Sequence, residues 1–132
     1  MNKTILKLTL LILSITLVNC KKDNQYYGVE LENEPATVRL ITDLPDGFVD
    51  DELFYLELVN PQPNLPFRTL NVTDMLEGYN SEKLFKPFKT EGSTVIISGT
   101  ILVKKNKNNY DEMKINGIYF HNFGLTSIKA TE

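Results

Sequence analysis

The chain has 132 residues, with 14 basic side chains, 17 acidic side chains and a formal net charge of −3. Nucleic-acid recognition requires a basic surface that neutralises phosphates, so this acidic balance argues against it. One cysteine excludes an internal disulfide, and a single histidine would leave a zinc ion mostly carboxylate ligands. The length is sufficient for one small domain.

The N-terminal segment has the organisation of a secretory signal. A short basic start carries Lys3 and Lys7, and an apolar stretch follows it as far as Val18. This stretch is shorter than the roughly 20 residues that span a bilayer. It ends just before Cys20, the only cysteine, so we predict that residues 1–19 are a signal peptide.

The run Leu17-Val18-Asn19-Cys20 resembles the lipobox of Gram-negative bacterial lipoproteins, in which signal peptidase II cuts before a cysteine that already carries diacylglycerol. Asn19 departs from the small residue usual at its position. The resemblance implies that Cys20 is lipidated and that palmitate-type chains hold the protein at a membrane, because stable anchoring takes more than one chain. In lipoproteins of this kind, an aspartate directly after the cysteine can retain the protein at the inner membrane, and here that position is Lys21. We therefore expect the outer membrane, on its periplasmic face or at the cell surface.

Residues 20–35 are predicted to form the lipidated cysteine and a polar linker, and residues 36–132 a single β-domain. Removal of the signal peptide takes away two lysines and brings the net charge near −5. Tyr26 and Tyr27 stand just beyond the charged part of this linker. They are expected either to lie at the membrane interface, as tyrosine rings do, or to pack onto the domain.

Alternating apolar residues predict strands along most of the domain. The predicted strands cover residues 36–42, 53–59, 67–73, 94–104, 113–120 and 126–129. The residues expected to face the core are Ala36, Val38, Leu40, Phe54, Leu56, Leu58, Leu70 and Val72. Arg39, Ile41 and Tyr55 are expected on the opposite faces.

The longest predicted strand, 94–104, contains Gly99 in the middle of a β-branched run, which indicates a bulge or a sharp bend. Residues 106–109 are predicted to form the following hairpin tip, and Asn116-Gly117 a bulge in the returning strand. Prolines at 61, 63 and 66 predict a loop, because proline cannot donate to a central ladder. A short helix or an irregular crossover is expected between residues 74 and 89, with Thr73 to Glu77 as a possible helical turn.

Several short strands and no stretch of helical periodicity predict an all-β fold. The first expectation is a small antiparallel β-sandwich, Ig-like or transthyretin-like. The alternative is an OB-like Greek-key barrel, which the long bent strand and the hairpin after it also fit.

An acidic loop carries five carboxylates in residues 43–52. These weak calcium candidates are Asp43, Asp46, Asp50, Asp51 and Glu52. Carboxylate oxygens suit calcium, but Pro45 and Gly47 stand where an EF-hand loop requires side-chain ligands. We therefore interpret the loop as a solvated turn and predict no metal and no cofactor.

Catalytic motifs are not apparent. His121 is the only histidine, and the chain has no Gly-x-Ser-x-Gly elbow, His-Glu-x-x-His helix or phosphate-binding glycine loop. We interpret His121 as a structural residue at a strand end or turn, and we predict that the protein is not an enzyme.

Two classes of function are compatible with these features. The first is a membrane-anchored envelope lipoprotein whose non-catalytic β-domain binds a protein, glycan or solute, or serves as an accessory subunit. The alternative is an inhibitor or immunity-type lipoprotein that protects against an envelope hydrolase. Neither class involves nucleic acid, and the sequence specifies no oligomeric state. An exposed aromatic patch would favour the first class, and a protruding rigid loop would favour the second.

Overall fold

The computed structural model describes residues 26–63, 65–74, 78–104 and 114–131. Most of these residues are in strands, which confirms the all-β prediction. The elements in chain order are β1 (Tyr26–Thr42), β2 (Glu52–Leu58), β3 (Thr69–Val72), α1 (Ser81–Phe85), a 3-10 turn (Lys86–Phe88), β4 (Thr94–Lys104), β5 (Lys114–Ile115), β6 (Ile118–Tyr119) and β7 (His121–Ala130).

Five strands close into a barrel in the order β1-β2-β3-β7-β4, and β5 pairs with β6 in a separate hairpin. The long strand β1 closes the barrel, because it pairs with β4 from Tyr26 to Thr37 and with β2 from Ala36 to Thr42. The pairing of β3 with β7 is parallel, whereas the other barrel pairings are antiparallel.

β1 begins ten residues before the predicted strand 36–42. Residues 26–35 therefore belong to the barrel and not to the predicted linker, and Leu31 is part of the core. The sequence pattern hides this because the register with β4 shifts between Leu31 and Glu34, where Asn33 has a φ of 51°. The bulge moves the inward face from odd to even positions, so the alternation that starts at Ala36 cannot be extended backwards.

The barrel interior confirms most of the predicted core. Its buried residues include Ala36, Val38, Leu56, Leu58, Leu70 and Val72, with Val95, Ile97, Ile101 and Val103 from β4, and Phe54 packs against them. Leu40 is only half-buried and lies outside this cluster.

The predicted irregularity at Gly99 is present, since the register of β4 with β7 shifts between Ser98 and Gly99, but the extra residue of the bulge is Thr126 of β7. A Cβ at this position would lie 2.1 Å from the carbonyl oxygen of Gly124 and 2.7 Å from the Phe123 ring. The close approach of two backbones therefore requires glycine here.

The predicted single strand 113–120 is wrong. Asn116 and Gly117 have φ angles of 48° and 83°, so they form the tight turn of the β5–β6 hairpin and not a bulge. β7 then begins at His121, five residues before the predicted final strand. The predicted hairpin tip at residues 106–109 lies outside the described residues.

The crossover between β3 and β4 contains the expected short helix. α1 begins at Ser81, and the predicted helical turn at 73–77 is not helical at Thr73 and Asp74, with residues 75–77 outside the described ranges. Phe85 of α1 is fully buried in the barrel core. Within the described ranges, no helix has the length and apolar character needed to cross a membrane.

Candidate functional site: a groove between α1 and β7

A groove of about 660 Å³ lies between α1 and the second half of β7. Leu84 and Phe88 form one wall, and Leu125 and Ile128 form the other. Lys83 is the only charged side chain among the described residues that line it. The surface offered to a ligand is therefore mainly apolar, with one ammonium group at its side.

α1 is fixed to the barrel by a buried ring and by a hydrogen bond from β7. Phe85 anchors α1 in the core, and the backbone N–H of Leu125 donates a hydrogen bond of 2.9 Å to Oγ of the buried Ser81. One helical turn further on, Leu84 remains 37% exposed. The apolar residues at 84, 85 and 88 were the sequence signal for this site, because a crossover segment that is exposed to solvent does not need three apolar residues.

A polar network fixes the end of the groove at Tyr79. The Thr100 hydroxyl donates to a Glu30 carboxylate oxygen at 2.8 Å, and the Tyr79 hydroxyl lies 2.8 Å from the same Thr100 oxygen. Because the Thr100 proton goes to the carboxylate, Tyr79 is the donor to Thr100. The network links β1, β4 and the start of the crossover, and it orients one aromatic side chain of the groove.

His121 lies elsewhere, at the start of β7, where a strand end was predicted. Its side chain is only 3% exposed, and Nε2 has no hydrogen-bond partner among the described residues. Burial lowers the pKa of the imidazole from 6.5 to about 4, so it is neutral at pH 7.

The imidazole belongs to a stack of rings. Its centroid lies 4.8 Å from that of Phe67, and Phe67 stacks on Tyr119 at 5.3 Å with an angle of 11° between the rings. The ammonium group of Lys114 lies 4.9 Å from the Tyr119 centroid, on a ring of the same stack. These rings contact one another and do not form the open aromatic patch that would favour the first class of function.

The five carboxylates of the acidic loop are not clustered around one point. Asp50, Asp51 and Glu52 border a cleft of about 620 Å³ with Glu82 and Lys89, and the last two form an ion pair at 3.1 Å. Asp43 borders a second cleft of about 480 Å³, again with Asp51 and Glu52.

In the described parts of the chain, which include all five calcium candidates, no three acidic, histidine or cysteine side chains are close enough to hold a metal ion. The structure thus places four of these carboxylates along two clefts, and the five are not gathered around one point. Cys20, the predicted lipidation site, lies outside the described residues.

No protein-family model, curated protein or solved structure matches this chain. The chemistry of the groove itself therefore carries the functional argument. Its apolar walls and single ammonium group are the features of a binding surface.

Proposed function

We propose that this chain is a lipid-anchored protein of the cell envelope that binds a partner without catalysing a reaction. The groove between α1 and β7 is the observation that carries the proposal. Leu84 leaves apolar surface open to solvent there beside the half-buried Phe88, and an exposed apolar groove on a small folded domain marks an interaction site. The partner is a protein, glycan or solute of the envelope.

We further propose that the barrel is OB-like. The order β1-β2-β3-β7-β4, the parallel pairing of β3 with β7 and the single short helix between β3 and β4 support this assignment over a sandwich. The sharing of β1 between β2 and β4 supports it as well, since that strand joins the sheet into one closed circuit.

The anchoring part of the proposal rests on the lipobox-like run that ends at Cys20. Metabolic labelling with a palmitate analogue should mark the protein, and Cys20→Ala should abolish both the label and its partition into detergent. Asn19→Gly is the matched control, because it keeps the cysteine and restores the usual small residue. A wild-type protein that is unlabelled and soluble would contradict the lipid anchor.

The binding part is tested with two charge substitutions. Leu84→Glu places a carboxylate in the groove, whereas Val59→Glu makes the same change at an exposed apolar residue that does not line it. Affinity capture from detergent-solubilised envelopes should lose a specific partner with the first variant only. If both variants retain the partner and the phenotype of the wild type, the groove is not the binding site.

A separate variant tests the non-enzymatic reading. We expect His121→Asn to leave the function unchanged where circular dichroism shows that the fold is kept. A folded, anchored variant without function would instead indicate catalysis.

The inhibitor or immunity role is the second candidate, and one feature favours it. The loop between β1 and β2 presents Phe48 at 41% and Val49 at 100% exposure, next to Asp50 and Asp51. An apolar tip flanked by carboxylates has the shape of a plug for an active-site cleft. Val49→Ser would then remove protection from an envelope hydrolase while binding in the groove is unchanged.

A further inference from the structure

We propose that the groove binds an extended peptide segment of a partner protein, which adds to the free edge of β7 as an extra strand. This inference rests on the proposed binding function and specifies its ligand. Strand addition to an open edge is a common mode of peptide recognition.

The position that the peptide would occupy is the one that β3 leaves empty. β3 runs parallel to β7 but pairs with it only at residues 121–123. The last hydrogen bond between the two segments runs from Thr73 N–H to the carbonyl oxygen of Phe123 at 3.0 Å. Beyond that point, no described strand pairs with β7 on the side away from β4, and residues of α1 line the other side of the groove.

The register of β7 with β4 shows which backbone groups face this position. Thr131 N–H donates to the carbonyl oxygen of Thr94, so this residue is in a hydrogen-bonded pair with β4. Ala130 and Ile128 lie opposite Val95 and Ile97, which are the intervening, non-bonded places of the same register. Since residues of an antiparallel pair alternate between bonded and non-bonded pairs, the N–H and C=O groups of Ile128 and Ala130 point away from β4.

The described residues offer these groups no partner, whereas the equivalent group at Leu125 is satisfied by Ser81. The free N–H and C=O groups therefore repeat every second residue, about 6.8 Å apart. A peptide backbone matches this repeat of donors and acceptors, and an acyl chain has no groups that do.

The walls define the side chains of the peptide. Alternate residues of an added strand would face the apolar surface of Leu84 and Phe88, so we expect apolar residues at every second position. Lys83 is the charged residue on that wall, which favours a carboxylate in the peptide at the matching place. The occupant is thus an extended apolar segment that carries one acidic residue.

The experiment uses the full chain in detergent micelles and a set of capped octapeptides in which valine and threonine alternate. Each peptide carries one glutamate at a different position. Binding should slow amide hydrogen exchange at Ile128 and Ala130 by about tenfold or more, because both N–H groups gain acceptors. Ala130→Pro should weaken the affinity by about tenfold, as expected for one lost main-chain hydrogen bond.

Proline is suited to this position because the N–H of residue 130 does not contribute to the β4 ladder. Ala130→Val is the matched control, since it retains the N–H and should bind like the wild type. The same peptides with N-methyl groups on alternate amides provide a second readout that needs no change in the protein. Strand addition is supported if N-methylation of every second amide abolishes binding and N-methylation of the intervening amides does not.

Peptide binding that survives both N-methylation and Ala130→Pro would overturn strand addition. If that binding is still lost in Leu84→Glu, the groove remains the binding site and only the ligand assignment fails. If a saturated fatty acid binds and no peptide does, the groove likewise remains the binding site and the peptide assignment fails. Dimers that form through Ala130 in place of peptide binding would also overturn the inference.

Discussion

The barrel interior and the small cluster on its outer face use opposite sides of the same strands, but they are enclosed in different ways. Neighbouring residues of β2 illustrate this, because Leu56 is 0% exposed inside the barrel and Tyr55 is only 7% exposed on the outside. Strand alternation decides which side each residue faces. Burial on the outside depends instead on a cover from a distant part of the chain.

The β5–β6 hairpin is that cover. Ile115 and Phe120 pack with Tyr55 and Ile41 in the outer cluster, and the Phe120 ring meets the Tyr55 ring edge-on at 4.9 Å. Burial raises the pKa of the Tyr55 hydroxyl above its ordinary value. The hairpin is also held through Thr69, whose hydroxyl donates to the carbonyl oxygen of Tyr119. Its strands are only two residues each, so the outer cluster is expected to open while the barrel stays closed.

The largest effect is expected inside the barrel at Gly99. Gly99→Val should lower the free energy of unfolding by about 4 kcal/mol or more, since its Cβ would overlap the Gly124 carbonyl and the close-packed core cannot relax around backbone. Gly28→Ala is the control, because its Cβ would meet only the Thr100 methyl group, at 3.0 Å. Urea denaturation measures both. Equal losses in the two variants would show that the β4–β7 contact is not tight.

A matched pair of truncations compares the two regions directly. Ile97→Ala in the interior should cost about 2 to 5 kcal/mol, as a core cavity does. Ile115→Ala should cost about 1 kcal/mol, because the hairpin can settle or open around the missing atoms. Urea denaturation gives the totals, and hydrogen exchange should show faster exchange confined to residues 114–120 in the second variant. A global loss of protection in Ile115→Ala would mean that the two regions unfold as one unit.

The smallest effect is a pH dependence from His121, which lies where the ring stack meets β7. Its pKa is about 4 in the folded protein and 6.5 in an unfolded chain. Between these values the unfolded chain binds the proton and the folded protein does not, so stability falls as the pH is lowered from about 6.5 towards 4.

Across this window we expect the free energy of unfolding of the wild type to fall by about 2 kcal/mol more than that of His121→Phe. The phenylalanine keeps a ring but cannot titrate. Urea denaturation at pH 7 and pH 4.5 gives the difference. An identical pH dependence in both proteins would show that the imidazole is not buried in solution.

The inward faces of β2 and β3 could be predicted from the sequence because each strand keeps a regular two-residue period, and β4 could be predicted as a strand from its β-branched run. Prediction failed where that period is interrupted or absent. The bulge at Asn33 hides the first part of β1, and residues 121–125 are buried on both faces of β7, so they show no alternation. The Asn116-Gly117 turn was readable in principle, since this pair is the strongest short signal for a hairpin.

The candidate site could not be predicted as a site. Its walls come from α1 and from the end of β7, which are far apart in the chain, and its open edge exists only because β3 stops at Val72. The apolar residues Leu84 and Phe88 are visible in the sequence, but their partners are not. The calcium candidates show the opposite case, because proximity in sequence did not bring their carboxylates together in space.

The closure of the barrel through β1 has a consequence for the speed of folding. Tyr26 pairs with Lys104, so the first part of β1 must find a partner that lies beyond β2, β3 and the helix in the chain. Contacts between such distant segments incur the entropy of closing a long loop before they stabilise anything. Barrels dominated by such pairings fold in milliseconds to seconds, and helical bundles of similar size fold in microseconds to milliseconds. Until β4 arrives, Val29 and Leu31 lie on an unpaired strand, and this is the interval in which the chain is most prone to aggregate.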